Sequence, residues 1–465
     1  MLRVAKMKEE TDFSLFSPTD YRYAVDELRA YLSDEAYVRY KAKVEAALVR
    51  VFANRGLVPK ELSDEIVTAT QTVTAAEVYE EEQKTKHDIR ALVNVIQRRV
   101  STAAKPFVHL GATSYDIADT ANALRYKEAV KNVILRDMLA LERTWITLAR
   151  RERDTLQIGR THGQYAEPIT FGFALAQYVN RWGSQILKLK ESSENLIGKF
   201  SGAVGAYNAT SLLIDDPEAF EHEVLAELAI KPAAISTQIV PPEPMTDFVH
   251  AIISSFSVLA NFSDDMRHLQ RSEIGEILER VEAEQVGSST MPHKRNPIGF
   301  ESVKSLWKKF MPQIVTMHLD QISEHQRDLT NSASQRYIQE LLVIFDYCVR
   351  RLTRISDRLE VDRARMAENF SKARGTIIAE PLYILLSYAG HPDAHEYVRW
   401  KSLQAYREKQ SLQELILQDE VELRPYLARI TAAQREQLFE PEKYTGIAAE
   451  KVERITRQWE EALGL

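Results

Sequence analysis

The densest run of chemically capable side chains extends from Gly287 to Pro297 and reads GSSTMPHKRNP. Hydroxyls, an imidazole, two cations and an amide follow one another there with no apolar period of helix or strand, so the stretch is a loop. A glycine-led polar loop carrying Lys294 and Asn296 suits a segment that closes over an anion, although a plain solvated connection has a similar composition. A second cluster, Val108 to Asp116 (VHLGATSYD), places Thr113 and Ser114 where a helix begins. Their hydroxyls and backbone N–H groups could hold a carboxylate or simply cap that helix. A third, Gly159 to Gln164 (GRTHGQ), sets His162 between Thr161 and Gly163. A histidine titrates near neutrality and can carry a proton, but in such a place it can equally be structural.

Long helices must position these clusters. Asp119 to Arg150 contains neither glycine nor proline, and Ile134, Met138, Leu141, Trp145 and Leu148 alternate steps of four and three. Phe171, Leu175, Tyr178, Trp182, Ile186 and Leu189 form a like stripe after Pro168, which suits a helix start. Met245 to Val286 is proline-free with helical apolar spacing, and Met311-Pro312 should kink the helix that follows the loop. Ile338, Leu341, Phe345, Cys348, Leu352 and Ile355 make a further seam, which predicts a buried, structural Cys348. Strand patterns are scarce, with short extended pieces expected at 199–207 and 237–240. These patterns predict an all-α bundle with seams on several sides, which suggests oligomerisation. Expected domains are 1–112, 113–364 with the long helices, and 365–465.

The 465 residues carry a net charge of −7, so there is no electrostatic case for nucleic acid as a partner. One cysteine allows no intrachain disulfide and no multi-cysteine zinc site, and it fits a reducing cytoplasm. The first ten residues turn charged too early for a secretory signal, and no uninterrupted apolar run of about 18 residues is present, so no membrane association is expected.

In order and spacing the three clusters resemble the signature regions of the fumarase/aspartase superfamily, from about residue 80 to 340. Within it the chain most resembles the adenylosuccinate lyases. SPTDYRY (Ser17 to Tyr23), KTKHDIRAL around His87, STQIVP with Gln238, and EHQRDLTNSASQR from Glu324 to Arg336 carry that finer likeness. The resemblance implies an all-α fold built around a twenty-helix tetramer core, and a homotetramer whose active sites each draw on three subunits. It implies β-elimination of fumarate from a succinylated purine nucleotide. It maps the general base onto Ser289, the general acid onto His162, that histidine's partner onto Glu301, and carboxylate contacts onto Lys294, Asn296, Thr113 and Ser114. Thr161, His87 and His109 map to further substrate contacts, as do Arg22, Tyr23 and Gln238. Arg327, Ser332 and Arg336 map to the 5′-phosphate. No cofactor and no metal are implied, and no role is assigned to His293.

Lys86 and Gln326 depart from the family's usual arginine and glutamate, and Gln335 replaces another glutamate. Argininosuccinate lyases and carboxymuconate cycloisomerases share the loop, and an inactive structural paralogue would share the fold. The Arg327, Ser332, Arg336 set speaks against a small muconate acid, because arginines at a phosphate supply charge-assisted bonds such an acid does not need.

Overall fold

A computed structural model of the chain describes residues 15–280, 290–291 and 293–465. The chain forms two compact units. The first comprises Met1–Met138, Ser184–Ser257 and Ser305–Arg350, the second Leu139–Gly183, Val258–Lys304 and Arg351–Leu465. Both are helical apart from three two-stranded pairings among the described residues.

In the first unit the helix Ser114–Ala129 is buried along most of its length, so its polar residues need internal partners. Arg125 shows how: Nε donates to Asn122 Oδ1 (2.9 Å), Nη2 to Tyr126 Oη (2.9 Å), and the guanidinium lies over the Tyr37 ring at 4.2 Å. The helix passes through a π-helical turn, Val130–Ile134, into Leu135–Arg151. Such a turn takes in an extra residue and rephases the side chains that follow.

In the second unit the expected seams meet as an aromatic core. Trp145 stands 4.5 Å from Phe262 and 5.9 Å from Trp182 between ring centroids, and Tyr178 meets Phe262 edge-on at 5.2 Å. Packing of large rings in such arrangements contributes beyond simple area burial. Ile338, Leu341, Phe345, Cys348 and Leu352 are all buried, as their spacing predicts. A separate cluster built from Ile378 to Leu438 forms the core of the C-terminal helices.

Several local expectations are corrected. The helix after Met245 stops at Leu269, and Ile277–Leu278 pairs antiparallel with Glu360–Val361. Glu243–Leu269 is long and apolar enough to cross a membrane, but 67% of its most apolar window is buried, as in a core helix. At Met311-Pro312 the helix does not kink but ends at Phe310, and a new one starts at Gln313, because proline's missing N–H breaks the ladder. Neither 199–207 nor 237–240 forms a strand; the nearest strand is Ile197–Gly198, parallel to Lys231–Pro232.

The largest departure is a hairpin, β1 (Leu156–Thr161) and β2 (Gln164–Thr170), where the sequence reads as an approach to a helix. Pro168 lies inside β2 and the helix starts only at Phe171. A two-stranded sheet leaves edge positions where proline's missing donor costs nothing.

Glu142, in the Leu135–Arg151 helix, is fully buried, and neither carboxyl oxygen has a hydrogen-bond partner among the described residues. Burial alone pushes its pKa from 4.5 to about 9. Because the folded pKa is raised, its contribution is complete below pH 4.5 and is lost as pH rises toward about 9. Glu142→Met should therefore raise the melting temperature at pH 8 and flatten its decline between pH 5 and 9, with a gain on the order of a few kcal/mol. Melting curves that run parallel across this range for both proteins would show that Glu142 does not charge on unfolding.

Candidate active site

In the first unit the clusters converge on the start of the Ser114–Ala129 helix. Thr113 is its N-cap in extended conformation, and Asp116 Oδ2 accepts the Thr113 N–H at 2.8 Å. Asp116 is itself buried against the Lys199 ammonium, which also donates to Gly202 O at 3.0 Å. Burial pushes the Asp116 carboxyl up, against the pull of Lys199 and of the Thr113 and Gly202 N–H groups. This fixes the helix N-terminus, a place where backbone N–H groups and the helix dipole favour an anion.

His87 caps the neighbouring helix Asp88–Gln97, its Nδ1 accepting the Arg90 N–H at 3.3 Å. An accepting Nδ1 places the proton on Nε2, which stands 3.4 Å from Ser114 Oγ. His109, at φ +62°, bonds through Nδ1 to the buried Glu45 at 2.7 Å. Burial disfavours the His109 cation, but the charge and hydrogen bond of Glu45 outweigh it and raise the pKa.

The glutamine and arginine segments meet the same helix. Val240 N–H donates to the buried Asp119 at 3.0 Å, and Gln238 N–H donates to Gln326 O at 3.3 Å. Burial pushes Asp119 up to about 6. Arg327 Nη2 donates to Tyr115 Oη at 2.6 Å, while its buried Nε and Nη1 have no hydrogen-bond partner among the described residues. Buried donors without acceptors are costly, so this guanidinium retains donor capacity for a further acceptor. Ser332 is half-buried and Arg336 exposed, just ahead of the Ile338–Asp357 helix. The Ser17 to Tyr23 segment docks on that helix: Ser17 Oγ donates to Glu340 at 2.8 Å and Tyr23 meets Tyr347 edge-on at 5.2 Å. Arg22 is exposed beside it.

The other expected residues lie in the second unit. Thr161 ends β1, and His162 with Gly163 makes the hairpin tip, both at positive φ, +54° and +75°. A two-residue turn of this kind matches the twist of the strands, and histidine tolerates the left-handed region better than most residues. The hairpin is fixed at its base by the fully buried Glu276, which accepts from Arg160 Nη2 (2.6 Å), Gln157 Nε2 (2.8 Å) and Asn369 Nδ2 (2.9 Å). Leu156 and Ile158 also pack on the helix Arg363–Ile377.

Ser289 lies outside the described residues. The stems of its loop are joined by Glu279, whose carboxylate accepts the Gly299 N–H at 3.0 Å and the Phe300 N–H at 3.4 Å, at the start of the helix Ile298–Phe310. Burial pushes Glu279 up against those N–H groups. Gln270 adds Nε2 to Arg295 O at 3.1 Å. Lys294 is exposed and Asn296 half-buried. Glu301 is exposed on the first turn of the same helix, and among the described residues no ion pair joins it to His162.

Sequence reasoning missed Glu45, Asp119, Tyr115, Glu276 and Glu279. Asp119 was signalled by its place three residues after Asp116 in a buried helix; the glutamates carry no local signal.

A lyase family model matches residues 19–311, and the model of the adenylosuccinate lyase C-terminal domain matches 323–439. An adenylosuccinate lyase of Archaeoglobus fulgidus is 33% identical over 450 residues, covering 96% of this chain and 99% of that protein. One of Pyrococcus abyssi is 36% identical over 452 residues, covering 96% and 98%. Among solved structures, the 3-carboxy-cis,cis-muconate lactonizing enzyme of Pseudomonas putida has a TM-score of 0.82 at 25% identity, covering 95% and 99%.

The Glu279 tie is testable by hydrogen exchange. Glu279→Ala should speed exchange of the Gly299 and Phe300 amides by roughly tenfold or more, since a bond to a charged group contributes about 1.5–3 kcal/mol. Unchanged exchange would mean that the helix start does not depend on this carboxylate.

Proposed function

The chain belongs to the adenylosuccinate lyase family of the fumarase/aspartase superfamily, and from that premise we propose how its residues share the work. The chain is a C–N lyase that eliminates fumarate from adenylosuccinate, leaving AMP, and its reading extends to succinylaminoimidazole carboxamide ribotide. The observation that carries the nucleotide reading is Arg327, whose two unpartnered buried nitrogens are held beside the helix start that bears Ser114. A guanidinium so placed fits a phosphate, with Ser332 and Arg336 on the same segment and Arg22 and Tyr23 nearby in sequence role.

In this reading Thr113, Ser114, Lys294 and Asn296 hold the succinyl carboxylates. A proton leaves the carbon beside one carboxylate, and the dianionic aci-carboxylate that forms needs nearby donors and a cation. Ser289 takes that proton; Lys294 and water exclusion on loop closure lower the cost of its alkoxide. His162 protonates the departing purine nitrogen, with Glu301 as its carboxylate partner. His87, with its proton on Nε2, donates to substrate and carries none away. His109, its pKa raised by Glu45 against burial, is a further contact, while Thr161 and Gln238 complete the grip on substrate.

A homotetramer with shared sites follows from the same reading. His162, Lys294 and Glu301 are exposed in the single chain, although acid–base chemistry of this kind works best out of water. Association of several chains can bring such groups to a helix start from another copy.

An absorbance assay of adenylosuccinate cleavage tests the activity directly, and no turnover would refute it. Ser289→Ala should lower kcat by at least about 10²-fold with binding largely kept. Sharing is tested by dissociating and reassembling His162→Ala with Ser289→Ala. Sites that draw on different chains regain both wild-type residues in some mixed tetramers, so activity returns. Mixed tetramers confirmed by native mass spectrometry but inactive would mean each chain holds its own complete site.

A further inference from the structure

The Arg327 side chain has four rotatable bonds, and a phosphate grip needs its guanidinium plane fixed before the ligand arrives. The charges of Asp119, Asp320 and Asp328 act on it, and two direct contacts, both from Tyr115, orient its plane. The hydroxyl accepts from Nη2 at 2.6 Å, and the guanidinium carbon lies over the ring at 4.5 Å from the centroid. A hydroxyl contact and a ring-face contact together set both the position and the tilt of a planar cation. Nε and Nη1, buried and without hydrogen-bond partners among the described residues, are the donors left over.

Tyr115 is also the residue next to Ser114, in the first turn of the helix whose N-terminus Asp116 and Lys199 hold. The backbone of the arginine segment has its own ties: Gln326 O accepts from Gln238 N–H, and Asp328 accepts the Glu324 and Thr330 N–H groups at 3.0 and 2.9 Å. Loss of Tyr115 therefore leaves the segment in place and frees only the guanidinium.

We propose that Tyr115 is a positioning residue for the elimination reaction, aiming Arg327 at the 5′-phosphate and setting its distance from the carboxylate grip at Ser114. This rests on the adenylosuccinate reading. It makes Tyr115 a determinant of selectivity for phosphorylated over phosphate-free substrates, acting through Arg327 with no part in proton transfer.

The test compares adenylosuccinate with succinyladenosine, which lacks the phosphate, in wild type, Tyr115→Phe and Tyr115→Ala. Tyr115→Phe should raise KM for adenylosuccinate by about tenfold with kcat within about twofold, as expected for losing one hydrogen bond to a charged group. Tyr115→Ala, which also removes the ring, should raise it further. On succinyladenosine the Phe variant should keep kcat/KM within about twofold of wild type. Product inhibition supplies a second readout: the Ki for AMP should rise in step with KM, while the Ki for fumarate stays put. Arg327→Ala combined with Tyr115→Phe should be no worse than Arg327→Ala alone, because the two act as one unit. An unchanged KM in both Tyr115 variants, an equal loss on both substrates, or additive losses in the double variant would each overturn the inference while leaving the activity standing. A wild-type chain that does not cleave adenylosuccinate would overturn both.

Discussion

The first unit depends on one buried ion pair, Lys199 with Asp116, whose side chains are 0% and 1% exposed. Asp116 sits one turn inside the Ser114–Ala129 helix, and the pair locks that helix start to the Gly202 turn. Such a pair adds little over an apolar one of the same shape, yet removing one partner costs about 3–5 kcal/mol. What it supplies is register. With the helix start fixed, Tyr115 meets Arg327, Ser114 meets His87, and Asp119 meets the segment bearing Gln238.

The second unit uses the same device with a carboxylate facing neutral and cationic donors. Glu276 gathers Arg160, Gln157 and Asn369 at the base of the hairpin, so the tip that carries His162 stands on a rigid support. Glu279 performs the same service for the loop by bonding the first N–H groups of the helix beyond it, where the helix dipole also favours a negative charge. Glu142 marks the contrast: a buried carboxyl with no donor stays neutral, whereas Glu276 and Glu279 meet N–H groups.

The chemistry divides along the same line. Of the residues assigned to anions, Thr113, Ser114 and Arg327 lie in the first unit, at a helix N-terminus and on a partly buried arginine, whereas Lys294 and Asn296 lie in the second. His162 and Glu301, assigned to the leaving-group proton, lie in the second, on a hairpin tip and at a helix start, both exposed. Firmly held bases suit a site that must place its reacting groups accurately.

By itself the sequence determined the helical class, the seams at 134–148, 171–189 and 338–352, and the family, because these depend on local period and on short motifs that each carry a mechanism. It marked His162 as chemical but not its setting: Gly159 and Pro168 interrupt the alternation that would reveal two strands, and a two-stranded hairpin is held by tertiary contacts more than by its own pattern. Only the tertiary structure decided which carboxylate serves which site residue. Glu45 and His109 are 64 residues apart, Lys199 and Asp116 83, and Gln157 and Glu276 119. Partners that distant are chosen by the packing of long helices, and no spacing along the chain encodes them.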